Sequence, residues 1–218
     1  MAAPVAKKVE GWKAKKWYQL VAPKVLGGGD IALIPASDDE HIINRIVKIP
    51  LKEVTRDMSH AYTNVFLRVF EVREKKAYSK YIGHEIAREL IGTMVRRKRD
   101  ALLVVFPAKS KDGIDFTIKA IIITQNQCSG RQKTTLRKAL IKMLQKKAAS
   151  EDFGQFIQQV LFGKASAEMF EKLDGIIVPL KRIEIKKTEL YEEFDVEDKK
   201  AEEKAEEKAE APAEPSTA

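Results

Sequence analysis

The stretch "SGRQKTTLRKALIKMLQKK", Ser129 to Lys147, holds seven Lys or Arg and no Asp or Glu. Side chains of this kind at this density do one piece of chemistry well: they neutralise and hydrogen-bond the oxygens of a polyanion. At about 100° per residue along a helix from Arg131 to Lys147, Leu136, Leu140, Met143 and Leu144 gather into one stripe. Arg131, Lys138, Lys142 and Lys146 then fall on the opposite side, with Lys133 and Arg137 at the borders. A merely solvated face normally interleaves Glu with Lys, because opposite charges four residues apart support a helix and like charges oppose it. No acid occurs between Asp115 and Glu151, so the pattern favours a face that binds phosphate.

Two further clusters are of the same type. "RRKRD" places Arg96, Arg97, Lys98 and Arg99 at the end of an apolar-periodic segment, where cations also complement a helix dipole. Lys7, Lys8, Lys13, Lys15 and Lys16 lead into Trp17 and Tyr18. Cations beside aromatics suit RNA, whose backbone attracts charge and whose unpaired bases stack on rings. Rings at the start of an apolar run more often anchor a core, and the sequence leaves both roles open.

Residues that make catalytic or metal sites do not converge. His41, His60 and His84 are far apart, with no HExxH and no second cysteine beside Cys128, and each is expected at the surface or at a cap. "GGGD" at Gly27 to Asp30 reads as a turn, and Gly163-Lys164 as a helix stop followed by a cation rather than the end of a phosphate loop. "SDDEH" at Ser37 to His41 has carboxylates that could hold magnesium, but it reads as an exposed loop. No catalytic residue, metal ligand or cofactor is expected.

The 218 residues carry a formal net charge of +8, which points to a polyanionic partner. From Glu189 onward there are 12 acids and 4 bases, leaving 36 bases against 20 acids in the part before it. A body of net +16 therefore bears an appendage of net −8. That appendage could lie in solvent, shield the basic body, or touch neighbouring basic proteins. A lone cysteine excludes an intramolecular disulfide and fits a reducing compartment. No apolar run reaches the ~18 residues of a membrane span, and the first residues lack the apolar middle of a signal peptide, so a cytoplasmic protein with no membrane partner is expected.

The elements that would position these groups are legible from periodicity. Residues 1–16 read as a flexible basic arm, 17–190 as one globular RNA-binding domain, and 191–218 as a disordered acidic tail. After a turn that leads into a short apolar run, Ile31 to Ile34, strands are expected in "HIINRIVKIPL", "YTNVFLRVFEV" with both faces covered, and "AYSKYIG". "ALLVVF" and "IDFTIKAIIIT" form a hairpin across "PAKSKDG", and "IIVPLKRIEIKK" is a last strand with Ile183 and Ile185 on one side. Helices are expected from His84 to Arg99, through the basic stretch, in "SEDFGQFIQQVLFG" with Ser150 as N-cap, and in "SAEMFEKLDG". Five or six strands against three or four helices make an α+β domain: a curled, largely antiparallel, barrel-like sheet with helices packed outside.

Taken in order, "KKWYQLVAP", "HEIARELIGTMVRRKRD", "DGIDFTIKAIIITQNQCSGRQKTTLRKALIKML" and "IIVPLKRIEIKKTEL" resemble the archaeal and eukaryotic small-ribosomal-subunit protein family called S-three-A, or eukaryotic-type S-one. The resemblance runs collinearly over most of the chain; the acidic tail lies outside it, and the initial arm is shorter than in eukaryotic members. It implies a structural constituent of the small subunit, on the platform near the messenger exit side and the 3′ end of the small-subunit rRNA. It also implies a β-barrel-like core surrounded by helices, and no enzymatic activity or metal. The implied partners are small-subunit rRNA, neighbouring small-subunit proteins and, from the location alone, messenger RNA or the initiation machinery. A free-standing RNA-binding factor or chaperone is the alternative, and a nucleic-acid enzyme built on "SDDEH" or Cys128 a more distant one.

Overall fold

The structure, a computed structural model, describes residues 15–191. Apart from Lys15, Lys16 and Tyr191, the expected flexible arm and disordered tail lie outside the described residues.

Strands β1 (Lys16–Val21) and β2 (Asp30–Ala36) pair antiparallel across the Gly27–Gly28 turn, where both glycines take positive φ. Next come β3 (Ile46–Pro50), the short helix α1 (Leu51–Thr55), β4 (Thr63–Arg73) and β5 (Lys76–Ile86). The two-residue connection Glu74–Lys75 has positive φ at both positions, which matches its twist to that of the flanking strands. Helix α2 (Arg88–Met94) leads to the expected hairpin of β6 (Ala101–Lys109) and β7 (Asp115–Thr124). Helices α3 (Gly130–Ser150), α4 (Phe153–Leu161) and α5 (Lys164–Leu173) follow, and β8 (Leu180–Leu190) closes the series.

The eight strands form one sheet that forks at β5. One edge of β5 pairs antiparallel with β4, which in turn pairs with β3. The other edge is shared: Lys76–Tyr78 pair with β1 in parallel, and Gly83–Glu85 pair with β8 antiparallel. From β8 the ladder continues through β7 to β6. Strands β2, β3 and β6 each have one partner among the described residues, so the ladder is open and the barrel-like closure is not reached.

Glycine is required at the fork. A Cβ at Gly83 would stand 2.3 Å from the carbonyl oxygen of Thr188, so any side chain there would drive β8 off β5. Just beneath, His84, Tyr81 and Thr188 form a buried polar cluster. The His84 Nε2 lies 3.1 Å from the Ile185 carbonyl oxygen, which can only accept; that nitrogen therefore carries the proton and Nδ1 accepts. Thr188 Oγ1 lies 2.7 Å from Nδ1 and 2.8 Å from the Tyr81 hydroxyl, so one O–H chain from Tyr81 through Thr188 satisfies all three groups. Burial pushes the imidazole pKa down to about 4, partly offset by the bond to Ile185.

Every helix with a large buried face packs against one side of the sheet. The Leu136, Leu140, Leu144 and Ala148 stripe of α3 lies on β6, whose Leu102, Val104, Phe106 and Ala108 alternate strictly with exposed residues. Phe153 and Phe156 of α4 pack on Phe116 of β7, with ring centroids 5.5 Å apart in both pairs. Met169 and Leu173 of α5 are buried in the same core as Ile183 and Ile185 of β8.

The structure corrects several expectations. There are eight strands and five α-helices among the described residues, more than periodicity suggested. His84 and Ile86 belong to β5, pairing with Val65 and Thr63, and the helix starts only at Arg88. Two flanking strands override the 3.6-residue period there, and they also bury His84, which is neither a surface residue nor a cap. Ser150 ends α3, its hydroxyl donating to the Lys147 carbonyl, while Asp152 occupies the N-cap position of α4. The strand around Pro50 is only Ile46–Pro50, because His41–Arg45 form turns. On β4, Val65, Leu67 and Val69 are buried, but Phe66 is half-buried and Phe70 is 56% exposed, so one face is open.

Candidate nucleic-acid interface

Helix α3 starts cleanly because Ser129 and Gln132 cap it reciprocally. The Ser129 N–H donates to Gln132 Oε1 at 2.9 Å, and the Gln132 N–H reaches Ser129 Oγ at 3.5 Å. With the leucines docked on β6, Arg131, Arg137, Lys138, Lys142 and Lys146 are exposed, an outward row of the kind that the angular reading predicts. The helix carries no acid at all, so no carboxylate of its own screens the row.

Two cations of this stretch have partners inside the chain. Lys133 Nζ lies 3.0 Å from the Asp100 carboxylate, which also accepts the Cys128 N–H at 2.7 Å. These two bonds, the Cys128 amide first, hold the Asp100 carboxyl below its ordinary value. Lys147 is 9% exposed and lies 2.7 Å from Glu168 on α5, holding that carboxyl down as well. Sequence distance concealed both pairings: the acids sit 33 and 21 positions away, and only packing brings them in.

The "RRKRD" turn joins this site through Asp100. It lies beyond the end of α2, whose last turn holds no cation, so its charges are not placed to complement that helix dipole. Arg96, Arg97 and Lys98 are exposed and Arg99 is half-buried, with Lys98 in the left-handed region at φ 64°. Because Asp100 is tied to Lys133 and Cys128, the turn is held at the N-terminal end of α3. Two basic clusters 30 residues apart in sequence thus meet at one end of one helix.

The N-terminal group divides. Lys7, Lys8 and Lys13 lie outside the described residues. Lys15 is half-buried, Lys16 is exposed at the start of β1, and Trp17 is 53% exposed on the outer face of that strand. Tyr18 points the other way, 1% exposed, with its hydroxyl donating to the Asp39 carboxylate; that bond and burial push its pKa up to about 12. Its ring cannot stack on a base, so that expectation is corrected: alternation along β1 gives Tyr18 to the core and Trp17 to the surface.

The same bond gives Asp39 a structural task, anchoring the "SDDEH" loop to β1. No group of three or more His, Cys, Asp or Glu able to hold a metal occurs among the described residues. No helix of the described residues is long and apolar enough to cross a membrane. Cys128 is half-buried and its Sγ lies 3.4 Å from the Asn126 carbonyl oxygen.

The described residues thus form an α+β fold with a branched, largely antiparallel sheet and a cation-lined, acid-free helix on its flank. The chain belongs to the Ribosomal S3Ae family, whose model matches residues 4–193. Among its curated relatives, "Small ribosomal subunit protein eS1" of Saccharolobus islandicus (strain L.S.2.15 / Lassen #1) is 34% identical over 179 residues, covering 82% of this chain and 86% of the relative. The protein of the same name from Sulfolobus acidocaldarius is 34% identical over 180 residues, 82% of this chain and 91% of the relative. That of Saccharolobus solfataricus is 32% identical, with 82% and 86% coverage.

Proposed function

We propose that this protein is a structural constituent of the small ribosomal subunit that binds rRNA through the outer row of α3 and the Arg96–Arg99 turn. The observation that carries the reading is family membership over all of the described residues, joined to a 21-residue helix with an exposed row of cations and no acid. The mechanism is electrostatic and geometric. Arg131, Arg137, Lys138, Lys142 and Lys146 release counterions as they meet phosphates, fixing position rather than reading sequence. Lys7, Lys8, Lys13, Lys15 and Lys16 extend the same contact along the rRNA. The role is binding, not catalysis, and needs no cofactor.

The site on the subunit is the platform, near the messenger exit side and the 3′ end of the rRNA, with other small-subunit proteins as neighbours and the cytoplasmic ribosome as location. From that position messenger RNA and the initiation machinery come within reach. Crosslinking of initiating ribosomes tests this last contact: capture of the protein by messenger supports it, and consistent failure overturns it.

Co-sedimentation of tagged protein with subunits through a sucrose gradient in high monovalent salt tests the main reading. Retention near one copy per small subunit is expected. Release to the top of the gradient, with RNA affinity falling about 0.7–0.9 log units per phosphate contact for each tenfold rise in salt, would replace it with a free-standing RNA-binding factor.

A further inference from the structure

The side of the sheet opposite the helices is not an ordinary polar surface. On β3, β4 and β5 the inward residues Ile49, Val65, Leu67, Val69, Ala77 and Tyr81 are buried, so their neighbours in sequence face outward by strand alternation. Those neighbours include Phe66, Phe70 and Tyr78 together with Lys48, Arg68 and Lys80. Phe70 is 56% exposed, and Phe66 and Tyr78 are half-buried.

The register mixes the two types. Lys48 is paired with Phe66, Arg68 with Lys80, and Tyr78 with Glu71. Lys48 Nζ stands 5.7 Å from the Phe66 ring centroid, a cation over a π-face. Arg68 donates from Nε and Nη2 to Asn44 Oδ1, at 3.2 and 2.7 Å, which holds its guanidinium at the edge of this face. Of the acids here, Glu71 is paired with Arg73 at 2.6 Å, and Glu85 lies at the far end opposite Asn64. Lys48, Arg68 and Lys80 therefore place three cations at its centre among the described residues.

Three chemistries could cover such a surface, and its composition separates them. The buried centres of protein–protein interfaces are depleted in Lys, whereas Lys48 and Lys80 stand here among the rings. Duplex RNA presents phosphates and 2′-hydroxyls but no free base faces, so it has no use for exposed phenyl rings. A single strand uses both: cations track its backbone while rings stack on its unpaired bases.

We infer that the outer face of β3–β4–β5 is a second RNA-binding surface, one that takes single-stranded RNA by stacking bases on Phe66 and Phe70 between Lys48, Arg68 and Lys80. It lies on the opposite side of the sheet from the packing face of α3, so the protein can hold a structured segment at its helix and an unpaired one on its sheet. The inference rests on the RNA-binding reading above and narrows it to a ligand class and a place.

The test uses the full chain and two labelled probes followed by fluorescence anisotropy: a mixed-sequence single-stranded RNA of about ten nucleotides and an RNA duplex of about twenty base pairs. Phe70→Leu alone, and Phe66→Leu with Phe70→Leu, keep apolar bulk but remove the π-faces. Single-strand affinity is expected to fall roughly tenfold per ring, with the salt slope and duplex affinity unchanged. Lys138→Gln with Lys142→Gln is expected to weaken duplex binding and flatten its salt slope. Phe70→Leu matters most, because its exposed ring can be changed without disturbing the core. Unchanged single-strand affinity in both ring variants overturns the inference while leaving the α3 reading intact. Ring variants that keep single-strand affinity but no longer enter the small subunit would show that this face docks a protein, and also overturn it. Failure of the parent protein to bind either probe overturns the RNA-binding reading itself.

Discussion

Lys133 Nζ lies 3.0 Å from the carboxylate of Asp100, and that carboxylate also accepts the Cys128 amide. One acid thereby joins the basic turn, the loop after β7 and the first turn of α3. Asp100→Asn removes the charge that neutralises Lys133, so RNA affinity should rise and the log–log salt slope should steepen by up to about 0.7–0.9, one further phosphate contact. Thermal stability should fall. Because its carboxyl is held below the ordinary value of 3.8, the stability Asp100 contributes is present above that value and lost as pH falls through the lower, folded one. Anisotropy titrations at three salt concentrations and a melting curve check both parts.

Lys142 and Lys147 sit five residues apart on one helix and should behave oppositely. Lys142→Gln removes an exposed cation, so RNA binding should weaken with little change in melting temperature. Lys147→Gln removes the buried partner of Glu168 and should cost about 1–2 kcal/mol of stability with little effect on RNA. If Lys147→Gln instead weakened RNA binding without lowering stability, its place in the core contact would be wrong.

Gly83→Ala tests the fork. The added methyl would meet the Thr188 backbone oxygen at 2.3 Å, and a backbone atom in a paired strand cannot step aside. A loss of more than about 2 kcal/mol is expected in denaturant unfolding. Gly92→Ala is the control, since its Cβ would meet nothing within 4 Å and α2 tolerates it.

His84 should make stability depend on pH in a defined window. Its folded pKa of about 4 lies below the ordinary 6.5, so the unfolded chain binds the extra proton first. Stability is complete above pH 6.5 and declines as pH falls from 6.5 towards 4, by an amount on the order of 2–3 kcal/mol. His84→Gln should be less stable at pH 7 but lose much of that slope. A parent protein with equal stability at pH 7 and pH 5 would contradict the buried neutral imidazole.

The basic helix was fully legible because both of its signals are local. Leucines at helical spacing and an acid-free run need no knowledge of the partner surface, and the structure docks Leu136, Leu140 and Leu144 as the angles require. The β6–β7 hairpin was equally legible from its alternation and its Asp-Gly turn. The segment from His84 to Ile86 was misread because its spacing fits a helix while its conformation is set by β4 and β8, contributed from either side in sequence. Trp17 and Tyr18 could be sorted into surface and core only once the phase of β1 was known.

By itself the sequence determined composition-bound and short-range properties: a body of net +16, a capped amphipathic helix with one charged face, a hairpin, and the order of pieces that places the chain in its family. Tertiary structure alone decided the fork at β5, the burial of His84, the ion pairs that tie Lys133 and Lys147 to acids distant in sequence, and the outer sheet face where Phe66 and Phe70 stand among cations. The physical reason is one of range. Helical amphipathicity and turn chemistry act over three or four residues, whereas strand pairing and ion pairing join groups whose separation along the chain carries no trace of their distance in space.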